Sequence, residues 1–131
     1  MDYDEYVNQA HQAAQSLEAG EYEQSLAIFN TLVLSDISDI DKAMMYHNIG
    51  VVLEKMGREE EALASYARGM NYERPHSRIH VAEQRAAYLY RLGRLEESLK
   101  AYEDLSYRSS LTEEEKQRVR YNIASLREQL G

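Results

Sequence analysis

Four glycines set the period of this chain. Gly20, Gly57, Gly93 and Gly131 recur at intervals of 37, 36 and 38 residues, and the first three open one phrase: GEYEQSLAIF, GREEEALASY, GRLEESLKAY. In each, an acidic stretch leads to a small residue (Ser25, Ala62, Ser98), a leucine (Leu26, Leu63, Leu99) and an aromatic (Phe29, Tyr66, Tyr102). A chain that repeats at this length builds one supersecondary unit several times and stacks the copies, because a single unit cannot bury its apolar face alone. Apolar residues step by three and four, as in Leu63, Tyr66, Ala67 and Met70 and in Leu95, Leu99, Tyr102 and Leu105, so the unit is helical. Glycine between two such runs supplies the left-handed residue that ends one helix before the next begins.

The spacing predicts seven helices, over 3–18, 22–35, 39–56, 59–73, 77–92, 95–107 and 112–130. Ser38, three residues before Asp41, and Thr112, three before Glu115, read as capping boxes. Pro75 separates the second unit from the third, since it can neither donate a backbone bond nor continue a helix. Ala13, Gly50, Ala86 and Ala124 fall where one helix of a pair must cross the other, and small side chains permit close approach there. Ser25, Ala62 and Ser98 answer them from the second helix. With eleven tyrosines and one phenylalanine, ring packing between units falls to tyrosine, whose hydroxyl can stay at the rim. Val119, Ile123, Leu126 and Leu130 form one stripe on the last helix, with Lys116, Gln117, Arg120 and Arg127 elsewhere on it, as a capping element requires.

In the middle unit Tyr46 stands first, Ile49 and Gly50 follow, Leu53 replaces a second aromatic, Ala62 and Tyr66 come next, and Pro75 closes it one residue late. In these residues the chain resembles the tetratricopeptide repeat family. The third unit keeps Ala86, Leu89, Ser98 and Tyr102, while Ala82 and Arg85 depart from the pattern. The first keeps Ala13, Ser25 and Phe29, with Gln9, Gln12 and Ser16 as departures. The last helix fits an unpaired first half-repeat through Ile123, Ala124 and Gly131. The resemblance implies an all-α fold: one domain over 1–131, with repeats at about 3–37, 40–74 and 77–109 and a capping helix at 112–130, wound as a right-handed superhelical array of antiparallel helix pairs.

The resemblance also implies a concave wall made by the first helix of each repeat. Its groove-facing register gives Val7, Ala10, His11 and Ala14, then Met44, His47, Asn48 and Val51, then His80, Glu83, Gln84 and Ala87. The last helix adds Arg118, Tyr121, Asn122 and Ser125. Such a wall implies a non-enzymatic module that binds a partner peptide or helix, as adaptor, scaffold or co-chaperone. One subtype is disfavoured. Modules that clamp a terminal carboxylate use lysine and asparagine on the first repeat, asparagine on the second, and lysine and arginine on the third. Asn48 alone matches, and Ala10, Ala14, His80 and Gln84 stand where the other donors are needed.

Charge narrows the partner. Residues 1–41 hold nine acids and no base, whereas the rest of the chain holds fifteen bases and fourteen acids. That acidic lobe suits a basic or neutral segment and offers an alternative role, self-assembly or complex building through the N-terminal face. Nucleic acid is not expected, because the densest basic group, Arg118, Arg120 and Arg127, follows Glu113, Glu114 and Glu115 in the order that complements a helix dipole. The state expected is a monomer or weak homo-oligomer.

Absent residues exclude chemistry. There is no cysteine, hence no disulfide and no thiolate site. Phosphate loops, GxSxG and HExxH are missing, so neither an enzyme nor a cofactor is expected. His76 and His80, four apart at a helix start, have only Glu73 or Glu83 as further donors, and no metal is assigned to them. No apolar run reaches the ~18 residues of a membrane span, and the acidic N-terminus is the reverse of a leader peptide, which points to the cytoplasm. His11, His47 and His80 place one imidazole per repeat on the proposed wall, so pH sensitivity near 6.5 is expected.

Overall fold

The computed structural model describes residues 1–131 and contains helices and turns only. Helix α1 (Tyr3–Glu18) pairs with α2 (Tyr22–Val33), α3 (Asp39–Lys55) with α4 (Glu59–Glu73), and α5 (His80–Arg91) with α6 (Leu95–Ser106). The unpaired α7 (Glu113–Leu130) packs on α6. Each helix packs chiefly on its neighbours in sequence, the arrangement of a solenoid.

The turns inside the pairs are copies of one another. Gly20, Gly57 and Gly93 take φ of 78°, 74° and 79°, a conformation that costs other residues a clash at Cβ. The residue after each glycine then donates its amide five residues back: Glu21 to Ser16, Arg58 to Leu53 and Arg94 to Leu89, at 2.8–2.9 Å. These bonds close the orphan carbonyls of α1, α3 and α5 alike.

Turns between the pairs differ, and here one predicted element is corrected. The fifth helix begins at His80, not at 77. Arg74–His76 form a short 3₁₀ turn around Pro75, and Ser77 follows with φ 57°. No local side chain caps α5. Glu73 does so from the end of α4, accepting the amides of Val81 at 2.9 Å and Ala82 at 3.0 Å. His76 therefore does not share a helix with His80, and it binds Asp39 at 3.1 Å instead. The cap at Thr112 is a full capping box with Glu115. At Ser38 the hydroxyl accepts the Asp41 amide, but the aspartate, a methylene shorter than glutamate, meets the Ser38 hydroxyl and not its backbone.

Two buried clusters meet at α5. One gathers Tyr6, Phe29, Leu32, Val52, Tyr66 and Leu89 among its members, and the other Ile79, Ala82, Ala86, Leu105, Val119 and Leu126. A fully buried side chain of this size contributes roughly 1.5–3 kcal/mol. Helix crossings fall on the predicted small residues. Ser25 and Ser98 are fully buried, and their hydroxyls donate to the carbonyls of Ala13 and Ala86 at 2.8 Å. Ala62, also fully buried, stands at the equivalent position of α4. Ala124 and Leu130 depart from expectation and are exposed, as no further helix packs against α7.

Candidate partner-binding face

The residues predicted on α3, α5 and α7 are brought into contact with one another. His47 and His80 face each other with ring centroids 5.1 Å apart, and His47 also meets the Tyr66 ring at 5.9 Å. Burial, with the neighbouring His80 imidazole, holds the His47 pKa below its ordinary value, against the opposing pull of its Asn48 contact and the Glu54 charge. Arg118 grips Glu83 with two bonds, at 2.8 and 3.1 Å. Ala87, Tyr121, Asn122 and Ser125 line one cavity of ≈ 310 Å³ together with Tyr90, Arg91, Tyr102 and Leu126. Met44 and His80 line a second, of ≈ 320 Å³, with Ile40, Ala43, Glu73 and Arg78. Val51 and Gln84 are half-buried between these features.

The four residues of α1 stand apart. Val7, His11 and Ala14 are exposed and Ala10 lies half-buried against the core. His11 makes no ring contact, so the expected strip of three imidazoles reduces to the His47–His80 pair.

Sequence reasoning missed the far end of this face. Arg91 binds Glu54 at 2.7 Å and lies over the Tyr88 ring, 5.5 Å from its centroid. Glu54 also accepts the Tyr66 hydroxyl, and Tyr90 donates to Gln129 at 3.2 Å. Burial and the Glu54 carboxylate push the Tyr66 phenol well above its ordinary range. Carrying the predicted register one turn further, from Val51 to Glu54 and from Ala87 to Tyr90 and Arg91, would have found all three. Glu83 and Arg118 are thus not the only charges here, and each of the four is neutralised by its neighbour. What remains open is a tyrosine-rich cavity between α5 and α7, whose one charged lining residue, Arg91, is paired with Glu54, beside Tyr121 at 74% exposure.

Residues 39–76, which form α3, α4 and the turn after them, match the tetratricopeptide repeat family. The middle helix pair therefore reads as a tetratricopeptide repeat. The fold agrees: the crystal structure of PcrH from Pseudomonas aeruginosa superposes with a TM-score of 0.72 at 18% identity, over 97% of this chain and 95% of that one. No curated protein matches the sequence. Tetratricopeptide repeats are protein-interaction modules, and in this array the matched repeat supplies Met44, His47, Asn48, Val51 and Glu54 to the face described. No helix is long and apolar enough to cross a membrane.

Proposed function

We propose that the chain is a non-enzymatic, cytoplasmic adaptor, scaffold or co-chaperone that holds a partner segment along α3, α5 and α7. The observation that supports this most directly is the ≈ 310 Å³ cavity between α5 and α7. It joins a small floor at Ala87 to tyrosines and an asparagine at the rim, the mix of apolar body and few polar groups that interaction sites use. The wall's charges are already paired, so the favoured segment is a neutral one with an apolar or aromatic anchor. The acidic N-terminal lobe adds a preference for basic flanks.

Filling the cavity tests the reading. Ala87→Trp or Ser125→Trp should abolish recovery of a partner from the native source, while Tyr107→Ala, on the exposed end of α6, should leave it intact. Equal recovery by all three variants would refute the groove. A second reading has its own observation: Met1, just before the first helix, and Tyr3 and Val7 on it are exposed at 56%, 70% and 39%, an apolar edge within the acidic lobe. If that edge builds a self-assembly, light scattering will show a mass that rises with concentration and that Val7→Glu returns to the monomer.

A further inference from the structure

Five of the eleven arginines hold an acid, and of the six that do not, three gather on one edge. Arg74, Arg78 and Arg108 lie on the edge where α4 hands over to α5 and α6 to α7, and none enters an ion pair. Arg108 ties them together. Its Nη1 donates to the Arg78 carbonyl at 3.5 Å, and burial with the nearby Arg74 charge pulls its guanidinium below its ordinary pKa, against the pull of Glu73. The acids around them are committed. Glu73 is 1% exposed, and its two oxygens hold the amides of Val81 and Ala82. Asp39 is taken by His76, Glu103 by Arg127 and Asp104 by Lys100. Beside the arginines opens the ≈ 320 Å³ cavity in which Arg78 joins Ile40, Ala43 and Met44, with Glu73 and His80 completing the lining.

We propose that Arg74, Arg78 and Arg108 form an anion site for the carboxylates of an acidic segment of a protein partner, one of whose apolar side chains enters the cavity beside Arg78. Guanidinium forks bind carboxylates with charge-assisted, paired bonds. An incoming acid also relieves the repulsion between Arg74 and Arg108. The apolar part of the cavity, Ile40, Ala43 and Met44, offers nothing to a free inorganic ion, which favours a peptide. A net charge of −8 repels a long, densely charged polyphosphate strand more than a short acidic segment, which spans only the local positive field. The arginines stand on the turns between helix pairs, and although the cavity beside them shares Met44 and His80 with the groove, the test alters none of the predicted groove residues.

The probe is a short fluorescein-labelled peptide of glutamates and leucines, followed by anisotropy at low salt. The peptide should bind, its glutamine–leucine counterpart should not, and added salt should weaken the complex. Replacing both exposed arginines, Arg74→Gln with Arg78→Gln, should weaken binding about tenfold or more. Arg108→Gln should also weaken it, while the melting temperature of the free protein holds or rises, because the variant removes a repulsion. Several results would overturn the site: equal binding of the two peptides, unchanged affinity in the double variant, or tighter binding of a labelled single-stranded oligonucleotide. Inorganic phosphate that competes at concentrations equal to the peptide's would reduce it to a free-ion site and refute it. A lower melting temperature in Arg108→Gln with binding kept would assign the cluster to the fold alone.

Discussion

Gly50 is the position where one added methyl group should be felt most. A Cβ there would lie 2.5 Å from Cε1 of Tyr66 and 2.7 Å from Cζ. The obstacle is the ring, not the backbone of the facing helix. That ring has little room to retreat, since Tyr66 is 1% exposed, meets Tyr88 edge-on with centroids 6.1 Å apart, and is tied through its hydroxyl to Glu54. Two effects oppose each other in Gly50→Ala. Helix propensity favours alanine by about 1 kcal/mol, whereas overpacking of a well-filled site costs about 1–3 kcal/mol. A contact this short, against a fixed ring, places the cost at the upper end, so the variant should lose about 1–2 kcal/mol net. At this chain length that is a fall of several degrees in melting temperature. Gly50→Leu should lose more, as the extreme of the same series. The assay is a double-mutant cycle in urea. In a Tyr66→Ala background the obstacle is gone, so Gly50→Ala should become neutral or stabilising by its propensity alone. If Gly50→Ala lowers the midpoint equally in both backgrounds, or leaves the wild-type midpoint unchanged, the steric argument fails.

Two further predictions concern pH. Burial raises the Glu73 pKa above its ordinary 4.5, against the opposing pull of the Val81 and Ala82 amides and the His80 and Arg108 charges; the stability it contributes is therefore full below 4.5 and lost as pH rises through its folded value. In urea melts the advantage of wild type over Glu73→Gln should be largest in acid and shrink above pH 4.5, and an advantage that grows with pH would contradict this. His47 is shifted below its ordinary 6.5, so the unfolded chain takes the proton first and stability falls as pH drops below 6.5 toward the folded value. His47→Gln should flatten that acid-side loss, and parallel profiles for the two proteins would refute it.

What the sequence disclosed follows from the range of the forces involved. The turns at Gly20, Gly57 and Gly93 need one backbone conformation that glycine supplies locally, so their spacing was enough to read them. Ser25, Ala62 and Ser98 were legible for a similar reason, as size alone admits a residue to the crossings, although the bonds from the two serine hydroxyls were not foreseen. The start of α5 was misplaced because its cap is Glu73, eight and nine residues before the amides it holds. Nothing near His80 announces that arrangement. The Thr112 cap, with both partners inside four residues, was read correctly.

The polar contacts of the face carry a longer signal, visible once the period is known. Arg91 and Glu54 are 37 residues apart, His76 and Asp39 also 37, Arg118 and Glu83 35, Arg94 and Glu60 34, and Tyr90 and Gln129 39. Each joins nearly equivalent positions of successive repeats, so stacking itself sets the pairing: a side chain meets what the chain carries about one repeat away. The edge arginines have acids at such offsets too, but those acids are held elsewhere. Asp39 lies 35 residues before Arg74 and is taken by His76, and Glu73 lies 35 before Arg108 and holds the amides of Val81 and Ala82. Arg78 likewise has Asp41 and Glu114 at those offsets, but the Asp41 carboxylate is drawn to Ser38 at its own helix start, and Glu114 lies in the first turn of α7, where the helix dipole holds it. A solenoid whose wall neutralises itself repeat by repeat has little charge left to attract a partner there. Two concentrated fields that remain are the acidic lobe at one end and the three arginines on the edge, and these are where electrostatic selection between partners should be strongest.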